Sequence, residues 1–397
     1  MTRHLSRFAF LMALAHFTLE VCSSNFLPVV YPRLIETLGL SYGQIGLIAL
    51  VGSLTGALIQ PLFGFLSDRW GPTRLATLSI VWLGGLMGLV GFVNSYPLLL
   101  VLVGLAMLGS AAFHPAGAVL ASMTSDKGRG AALSIFSVAG NLGSAVSPLL
   151  VAVGLSWLGV KGTVVIIPVA LLVGLLLYQQ LASQTDWVND HLQTHRAQQA
   201  TQARGLETSL ILGLALVTLM VMARSWFQMA LITYLPEWIH SQGQSLAFGG
   251  QVLSIMLVAT GVGSFIGGPL SDRIGRWQIA VLSLTLLSLA QWAFLNSAIY
   301  WQVGLVAVMG LLIGATFPVT IAMAQETWPR GVGLALALVM GLGWAPGGLG
   351  AWVTGFIADQ ASLAVGLQTL ILPPLLGVVA VAAFALVQRR SFNPSPA

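Results

Sequence analysis

Long apolar runs recur along the whole chain and constrain its fold more than any other feature. A helix needs about 20 apolar residues to cross the hydrocarbon core of a bilayer. The sequence offers twelve such runs, at approximately 8–31, 43–66, 75–94, 97–121, 131–155, 161–181, 209–235, 247–270, 277–296, 300–324, 333–356 and 364–387. A helix satisfies its backbone polar groups internally, as a lipid environment requires. The sequence therefore predicts an all-α polytopic membrane protein with twelve transmembrane helices.

The composition agrees with this class of protein. Of the 397 residues, 57% are hydrophobic and 7% are charged, whereas an ordinary soluble protein is about 25% charged. The single cysteine, Cys22, excludes an intramolecular disulfide and a cysteine-based zinc finger or haem site. The first run is too long and too polar at its centre for a cleaved signal peptide, so we expect it to stay in the protein.

The basic residues indicate how the chain is oriented. Predicted cytoplasmic segments hold most of the 16 Lys and Arg residues, whereas the predicted outer loops hold Arg33 and Lys161. This asymmetry satisfies the positive-inside rule and predicts that both termini are cytoplasmic. Because the basic residues are scattered over short loops without forming a patch, we expect no nucleic-acid partner.

One long polar segment, 182–208, separates the sixth and seventh runs. It predicts a cytoplasmic linker between an N-terminal six-helix half, 1–181, and a C-terminal six-helix half, 209–397. His191 and His195 lie four residues apart in this linker, and we interpret them as solvated side chains and not as metal ligands.

The two halves are related in sequence, which is typical of transporters built from repeats. The segment GFLSDRWG at 64–71, after the second run, recurs as GPLSDRIG at 268–275, after the eighth. The segment GSAAFHP at 109–115 in the fourth run is similar to GATFP at 314–318 in the tenth. These pairs predict two six-helix repeats.

The first and seventh runs place polar side chains at matching depth. His16 and Glu20 lie four residues apart and so share one face of a helix. Alignment of the halves sets Arg224 opposite His16 and Gln228 opposite Glu20. Ionised groups inside a membrane are costly and usually face a protein interior or a watery cavity, so we predict that this face is functional.

At these residues the chain resembles the major facilitator superfamily, and within it the fosmidomycin-resistance family of drug exporters. Segment 64–71 is similar to the superfamily's signature loop, and the family-specific pieces are LSYGQIG at 40–46, GSAAFHP at 109–115 and GNLG at 140–143. The resemblance implies a monomer in the bacterial cytoplasmic (inner) membrane, with a central cavity lined by spans one, four, seven and ten. The polar residues that then surround one space are His16, Glu20, His114 and Arg224.

Glu20, His16 and His114 are the candidate proton-coupling residues. Burial disfavours a charged carboxyl and a nearby cation favours it, so a glutamate that sees water from one side can switch between states. Histidine titrates near neutral pH. One alternative is that Glu20 forms a fixed ion pair that holds the first helix against a neighbour. Another is that His114 hydrogen-bonds the backbone that Pro115 interrupts.

Arg224, Gln228, Asn141 and His114 are the candidates to bind a substrate. A guanidinium stays protonated, so Arg224 favours an anionic or zwitterionic group. It could also pair with Glu20 when the site is empty, and the alternative is that this pair is a static bridge. Other polar residues within the spans, among them Asn25, are expected to be helix-packing contacts.

The duplicated loops carry the candidate conformational latches, Asp68 with Arg69 and Asp272 with Arg273. A carboxylate near the amino end of a helix and close to arginines can hold two helices together on the cytoplasmic side. The alternative is a loop that only reverses the chain and fixes topology. Because the pattern occurs at both loops, we favour the latch.

These features predict a secondary active transporter and not an enzyme. The chain lacks the Gly-x-x-x-x-Gly-Lys-Ser/Thr loop of a pump and the His-Glu-x-x-His motif of a metalloprotease. Duplicated halves with polar groups at the midplane are typical of alternating access and not of a channel. We expect a proton-coupled antiporter that exports a small anionic or amphipathic molecule, such as a fosmidomycin-like drug, without a cofactor or a resident metal. The alternatives are a divalent-metal transporter that uses His16, Glu20 and His114, and an uptake symporter on the same scaffold.

Overall fold

The computed structural model describes residues 2–123, 129–182, 208–328 and 343–392, together with positions 335 and 339. Within these ranges the chain is helical and contains no strand. The helices are α1 Thr2–Cys22, α2 Leu27–Leu38, α3 Tyr42–Leu58, α4 Gln60–Trp70, α5 Pro72–Gly88, α6 Tyr96–Ser122, α7 Arg129–Leu158, α8 Ile166–Ala182, α9 Thr208–Ser241, α10 Leu246–Ile274, α11 Arg276–Leu295, α12 Ile299–Thr327, α13 Gly343–Gln360, α14 Leu363–Gln368 and α15 Leu372–Phe392. The prediction of an all-α protein is confirmed.

The helices follow the order of the predicted membrane runs. In the described part of the chain, nine helical segments are long and apolar enough to cross a membrane, or ten if the bent pair at the amino end counts as one span. One of these segments, Ile135–Leu181, contains most of α7 and all but the last residue of α8, which the sequence predicts as separate spans. Most of the predicted linker, including His191 and His195, and most of the start of the eleventh run lie outside the described residues.

The first predicted run is not one continuous helix. Helix α1 ends at Cys22, a 3-10 turn spans Ser24–Phe26, and α2 then extends to Leu38, beyond the predicted limit. The two parts are bent by 41°. Pro28 lies in the first turn of α2, where a residue without an N–H group costs nothing because that turn has unpaired donors anyway. The bend places Glu20 in the last turn of α1.

The two duplicated loops share a backbone feature. Gly71 separates α4 from α5 with φ of 86°, and Gly275 separates α10 from α11 with φ of 119°. L-residues with side chains rarely adopt such angles, whereas glycine adopts them readily. The last glycine of each repeated segment is therefore required by the turn itself.

The chain divides into two compact units. The first comprises Met1–Leu40, Val51–Ala200 and Leu235–Leu257. In it α1 packs on α7, and α5 packs on α6 and α8. A Cβ at Gly143 of α7 would lie 2.2 Å from the carbonyl oxygen of Phe17, so this glycine allows the two backbones to approach closely.

The second unit comprises Ser41–Leu50, Thr201–Tyr234 and Val258–Ala397. In it α11 packs on α12 and α15. A Cβ at Gly350 of α13 would lie 2.2 Å from the ring of Trp226 on α9. Small residues therefore let neighbouring helices come together in both units.

Candidate functional site

Glu20 lies between two histidines in the first unit. His16 is one turn earlier on α1, and its Nε2 atom is 3.7 Å from Oε1 of Glu20. His114 on α6 places its Nε2 atom 3.4 Å from the same oxygen. The side chains of His16, Glu20 and His114 are 12%, 13% and 34% exposed, so the cluster is largely buried but reachable beside His114. The structure brings together the three residues predicted to form the proton site.

The Nδ1 atom of each imidazole, which faces away from Glu20, contacts a backbone carbonyl. Nδ1 of His16 lies 2.8 Å from the carbonyl oxygen of Phe136, and Nδ1 of His114 lies 2.8 Å from that of Ser110. A carbonyl oxygen can only accept, so we assign the hydrogen of each neutral ring to Nδ1. Both Nε2 atoms then direct a lone pair towards the Glu20 carboxylate. His114 therefore both binds the backbone of its own helix and faces the acid.

The second carboxylate oxygen of Glu20 is held by neutral groups. Asn25 donates from Nδ2 to Oε2 at 2.9 Å, and the Ser144 hydroxyl on α7 donates to the same oxygen at 3.1 Å. Asn25 also donates to the hydroxyl oxygen of Ser144 at 3.1 Å. These bonds fix the carboxylate and leave Oε1 for the two histidines.

Aromatic packing fixes the ring of His16. It stacks on Phe136 with ring centroids 4.0 Å apart and meets His114 edge-on at 5.5 Å. A Cβ at Gly140 of α7 would lie 2.4 Å from Cε1 of His16. Gly140 therefore provides the space that the imidazole occupies.

The cluster has the donor set of a cation site. One ligand atom from each of His16, Glu20 and His114 lies within 4.8 Å of the other two. Two imidazole lone pairs beside a carboxylate repel one another unless a positive charge lies among them. The arrangement can hold a proton or a divalent metal ion.

Arg224 and Gln228 interact with each other in the second unit. The Arg224 side chain is 1% exposed, and its Nη1 atom donates to Oε1 of Gln228 at 2.8 Å. The guanidinium also lies over the ring of Phe317 on α12, with Cζ 4.8 Å from the centroid. A buried, charged group braced by an amide and an aromatic ring is suited to bind an anion.

Other predicted polar residues differ in their surroundings. Asn141, predicted to bind substrate, is exposed on α7. Asn25, predicted to be a packing contact, instead holds Glu20. Ser144 was missed because a serine in an apolar helix carries no local signal of function. Its distance of three residues from Asn141 places both on neighbouring positions of one helix face.

The second duplicated loop carries a charge network. Asp272 forms an ion pair with Arg276, one residue beyond the loop glycine, and Arg276 also binds Oε1 of Glu326 at 3.1 Å. The Nη1 atom of Arg276 donates to the hydroxyl of Ser271 at 2.6 Å. Asp272 and Arg273 are the predicted latch at this loop; the structure shows an ion pair of Asp272 with Arg276, and the latch stays a prediction.

The first duplicated loop shows a different contact. Arg69 lies over the ring of Phe65, one turn earlier on α4, with Cζ 4.5 Å from the centroid. The side chain of Asp68 lies outside the described part of the structure. The latch at this loop stays a prediction.

Asp359, at the end of α13, was not predicted and makes a dense set of hydrogen bonds. Its Oδ1 atom accepts from the backbone N–H of Tyr42 at 2.7 Å. Its Oδ2 atom accepts from the Ser41 hydroxyl and the Gly43 N–H, both at 2.8 Å. Asp359 thus caps the amino end of α3, where unpaired N–H groups attract a carboxylate. We call these contacts the Asp359 cap.

A tyrosine adds a second tie beside the Asp359 cap. The Tyr234 hydroxyl on α9 lies 2.9 Å from the carbonyl oxygens of both Tyr42 and Ala351. A Cβ at Gly355 would lie 2.1 Å from this hydroxyl. A glycine one turn before Asp359 therefore permits three helices to meet at the amino end of α3.

Comparison with known proteins assigns this arrangement to a family. A family model described as Major Facilitator Superfamily matches residues 12–245 and 214–397. The chain is 29% identical over 376 residues to a fosmidomycin resistance protein of Escherichia coli strain K12, covering 93% of this chain and 91% of the relative. It is 29% identical to the uncharacterized MFS-type transporter YfnC of Bacillus subtilis strain 168, covering 89% and 87%.

A solved structure has the same fold. A bacterial homolog to the human lysosomal transporter Spinster, in an inward-facing and occupied conformation, superposes with a TM-score of 0.76. The alignment covers 98% of this chain and 99% of the other at 17% identity. At that identity the likeness concerns the fold alone.

Proposed function

We propose that this chain, which belongs to the Major Facilitator Superfamily, is a proton-coupled antiporter that exports a small anionic or amphipathic molecule by alternating access. A fosmidomycin-like drug is the first candidate cargo, because the chain is similar to a fosmidomycin resistance protein. The observation that carries the coupling mode is the convergence of two imidazole Nε2 atoms on one carboxylate oxygen, at 3.4 and 3.7 Å.

The proton site works through the orientation of its groups. With Nδ1 hydrogens committed to the carbonyls of Phe136 and Ser110, the next proton binds at Nε2 or at Glu20, where it bridges lone pairs that otherwise repel. Removing that proton leaves a carboxylate facing two lone pairs, which is a high-energy arrangement in a largely buried site. The protonated and deprotonated forms therefore favour different surroundings, as a coupling site requires.

The substrate site is proposed around Arg224, with Gln228 as its partner; Asn141 and His114 remain further candidate substrate-binding residues. The guanidinium is permanently charged and attracts the phosphonate or carboxylate of a cargo. Gln228 fixes one edge of the guanidinium at 2.8 Å. An uptake symporter would use the same residues, so the proposed export direction rests on the similarity to a fosmidomycin resistance protein.

In the proposed cycle, protons reach Glu20 and the histidines from the outer side. Access then alternates, and proton release to the cytoplasm coincides with loading of cargo near Arg224. We propose that the loops with Asp68 and Arg69, and with Asp272 and Arg273, hold the cytoplasmic ends of helices during one part of this cycle. For Asp272 the ion pair with Arg276 supports this role.

We further propose a monomer in a bacterial cytoplasmic membrane with both termini in the cytoplasm. The distribution of Lys and Arg supports the orientation. We expect no catalytic activity.

Purified protein in vesicles with an internal pH dye tests the coupling. In the wild type, we expect a gradient of fosmidomycin across the vesicle membrane to drive protons in the opposite direction. Glu20→Gln should abolish this proton movement. Glu36→Gln is the matched control, because Glu36 pairs with Arg33 at an exposed end of α2 and its loss should leave proton movement unchanged. An undiminished dependence of transport on the pH gradient in Glu20→Gln would show that Glu20 does not couple.

A further inference from the structure

We propose that His16, Glu20 and His114 also form a binding site for one divalent transition-metal ion of the zinc class, which inhibits the transporter. The ion acts here as an inhibitor and not as the cargo. Metal binding stands on geometry alone, whereas the inhibition rests on the proposed role of Glu20 in transport.

The ligand atoms are close to their positions in a zinc site. Zinc binds imidazole nitrogen and carboxylate oxygen at about 2.0 to 2.2 Å with tetrahedral angles, which sets neighbouring ligand atoms about 3.3 to 3.6 Å apart. His114 Nε2 already lies 3.4 Å from Glu20 Oε1, and His16 Nε2 lies 3.7 Å from it. All three atoms fall within 4.8 Å of one another. A small movement of the two rings towards each other completes the site.

The groups around the ligands have the arrangement of a metal site's outer shell. A metal-binding histidine almost always donates its other ring N–H to a carbonyl, a carboxylate or a water. His16 does so to Phe136 and His114 to Ser110, both at 2.8 Å. Ser144 donates to the oxygen of Glu20 that faces away from the histidines. The ligating lone pairs are therefore aimed before any ion arrives.

The donor set selects the class of ion. Two imidazole nitrogens and one carboxylate oxygen suit zinc, cobalt or nickel, whereas magnesium and calcium prefer six or more oxygen ligands. Three protein ligands leave a fourth tetrahedral position for water. His114, with 34% of its side chain exposed, marks the side from which the ion and that water enter.

Inhibition follows from the shared lone pairs. An ion held by both Nε2 atoms and by Oε1 of Glu20 occupies the positions that a proton would take. It also joins α1 to α6 through three bonds.

The binding test uses the purified full-length chain with its linker histidines removed by His191→Ala and His195→Ala. Titration with Co²⁺ should give the visible absorption bands of a tetrahedral ion with one equivalent bound, and Zn²⁺ should displace it. We expect Glu20→Gln, which preserves side-chain shape, and His114→Ala to abolish the signal. Ser144→Ala should weaken binding about tenfold, as outer-shell changes do. Mg²⁺ should not compete.

His240→Ala is the matched control, because His240 lies near Glu36, outside the cluster, and its loss should leave cobalt binding unchanged. Unaltered unfolding temperatures would show that the variants are folded. Absence of a saturable tetrahedral signal, or a signal that survives both Glu20→Gln and His114→Ala, would overturn the site.

The inhibition test measures fosmidomycin-driven proton movement in vesicles with and without Zn²⁺. We expect Zn²⁺ at saturating concentration to stop it and a chelator to restore it. If proton movement continues while Zn²⁺ is bound, the inhibitor role is wrong. It is also wrong if the protein transports Zn²⁺ into the vesicles. If the wild type moves no protons at all, the proposed function fails while the cobalt titration still decides the metal site.

Discussion

Removal of the Asp359 cap should lower the stability of the second unit by a predictable amount. Asp359 accepts three hydrogen bonds at the amino end of α3, at 2.7 to 2.8 Å. Loss of a helix cap costs about 0.5 to 2 kcal/mol, and a carboxylate at a helix amino end adds about 0.3 to 1 kcal/mol at an exposed position. Asp359 is exposed, so water screens part of its charge.

We therefore expect Asp359→Ala to destabilise the protein by about 1 to 2 kcal/mol. Asp359→Asn should cost less, because one of its two acceptor positions remains. The Tyr234 hydroxyl still bonds the carbonyl oxygen of Tyr42, so α3 should stay in place. A change of this size lowers the midpoint of thermal unfolding by about 2 to 8 °C.

Tryptophan fluorescence during heating of the purified protein in one detergent measures this change. Gln360→Ala, at the exposed neighbouring position of α13, is the control and should shift the midpoint little. Gly43→Ala should disturb the same hydrogen bonds and also lower the midpoint, because its Cβ would lie 2.8 Å from Oδ2 of Asp359. Gly64→Ala has open space around its Cβ and should not destabilise. Wild-type midpoints for both Asp359→Ala and Gly43→Ala would refute the reasoning.

Three further predictions concern the two buried clusters. Gly140→Ala should displace the His16 ring and abolish proton movement in vesicles, whereas Gly85→Ala, whose Cβ meets nothing within 4 Å, should retain it. Arg224→Lys should keep the fold but weaken cargo binding about tenfold or more, since a lost hydrogen bond to a charged group costs about 1.5 to 3 kcal/mol; titration calorimetry with an anionic cargo measures this, and unchanged affinity would contradict it. Asn25→Ala should leave Ser144 to hold Glu20 and slow proton movement without abolishing it; wild-type rates would show that Asn25 only packs.

Much of the fold and part of the site could be predicted from local patterns. Apolar runs of membrane length locate helices, and the repeated loop segments locate Gly71 and Gly275, whose positive φ angles only glycine adopts readily. The spacing of four residues sets His16 and Glu20 on one helix face, where the structure also finds them. Each of these features is encoded within a few residues of chain.

The remaining contacts depend on tertiary packing that no local pattern contains. Ser144 is 124 residues from Glu20 in sequence, and Asp359 is 317 residues from Tyr42. A serine in an apolar helix and an aspartate at a helix end are both common without such roles. The break after Cys22 falls at Ser23 and Ser24, two small polar residues inside a longer apolar run. It brings Asn25 within hydrogen-bonding distance of Glu20.

The break in the first span also gives the cluster a polarity of its own. Because α1 ends at Cys22, Glu20 lies in the last turn, where the backbone carbonyls carry the partial negative end of the helix dipole. The Glu20 carboxylate adds to the negative potential at this end of α1, so the region around it attracts cations and repels anions. A negatively charged cargo would therefore be disfavoured beside Glu20 and favoured at Arg224. The local electric fields would therefore direct the proton to Glu20 and the anionic cargo to Arg224 before either makes a specific contact.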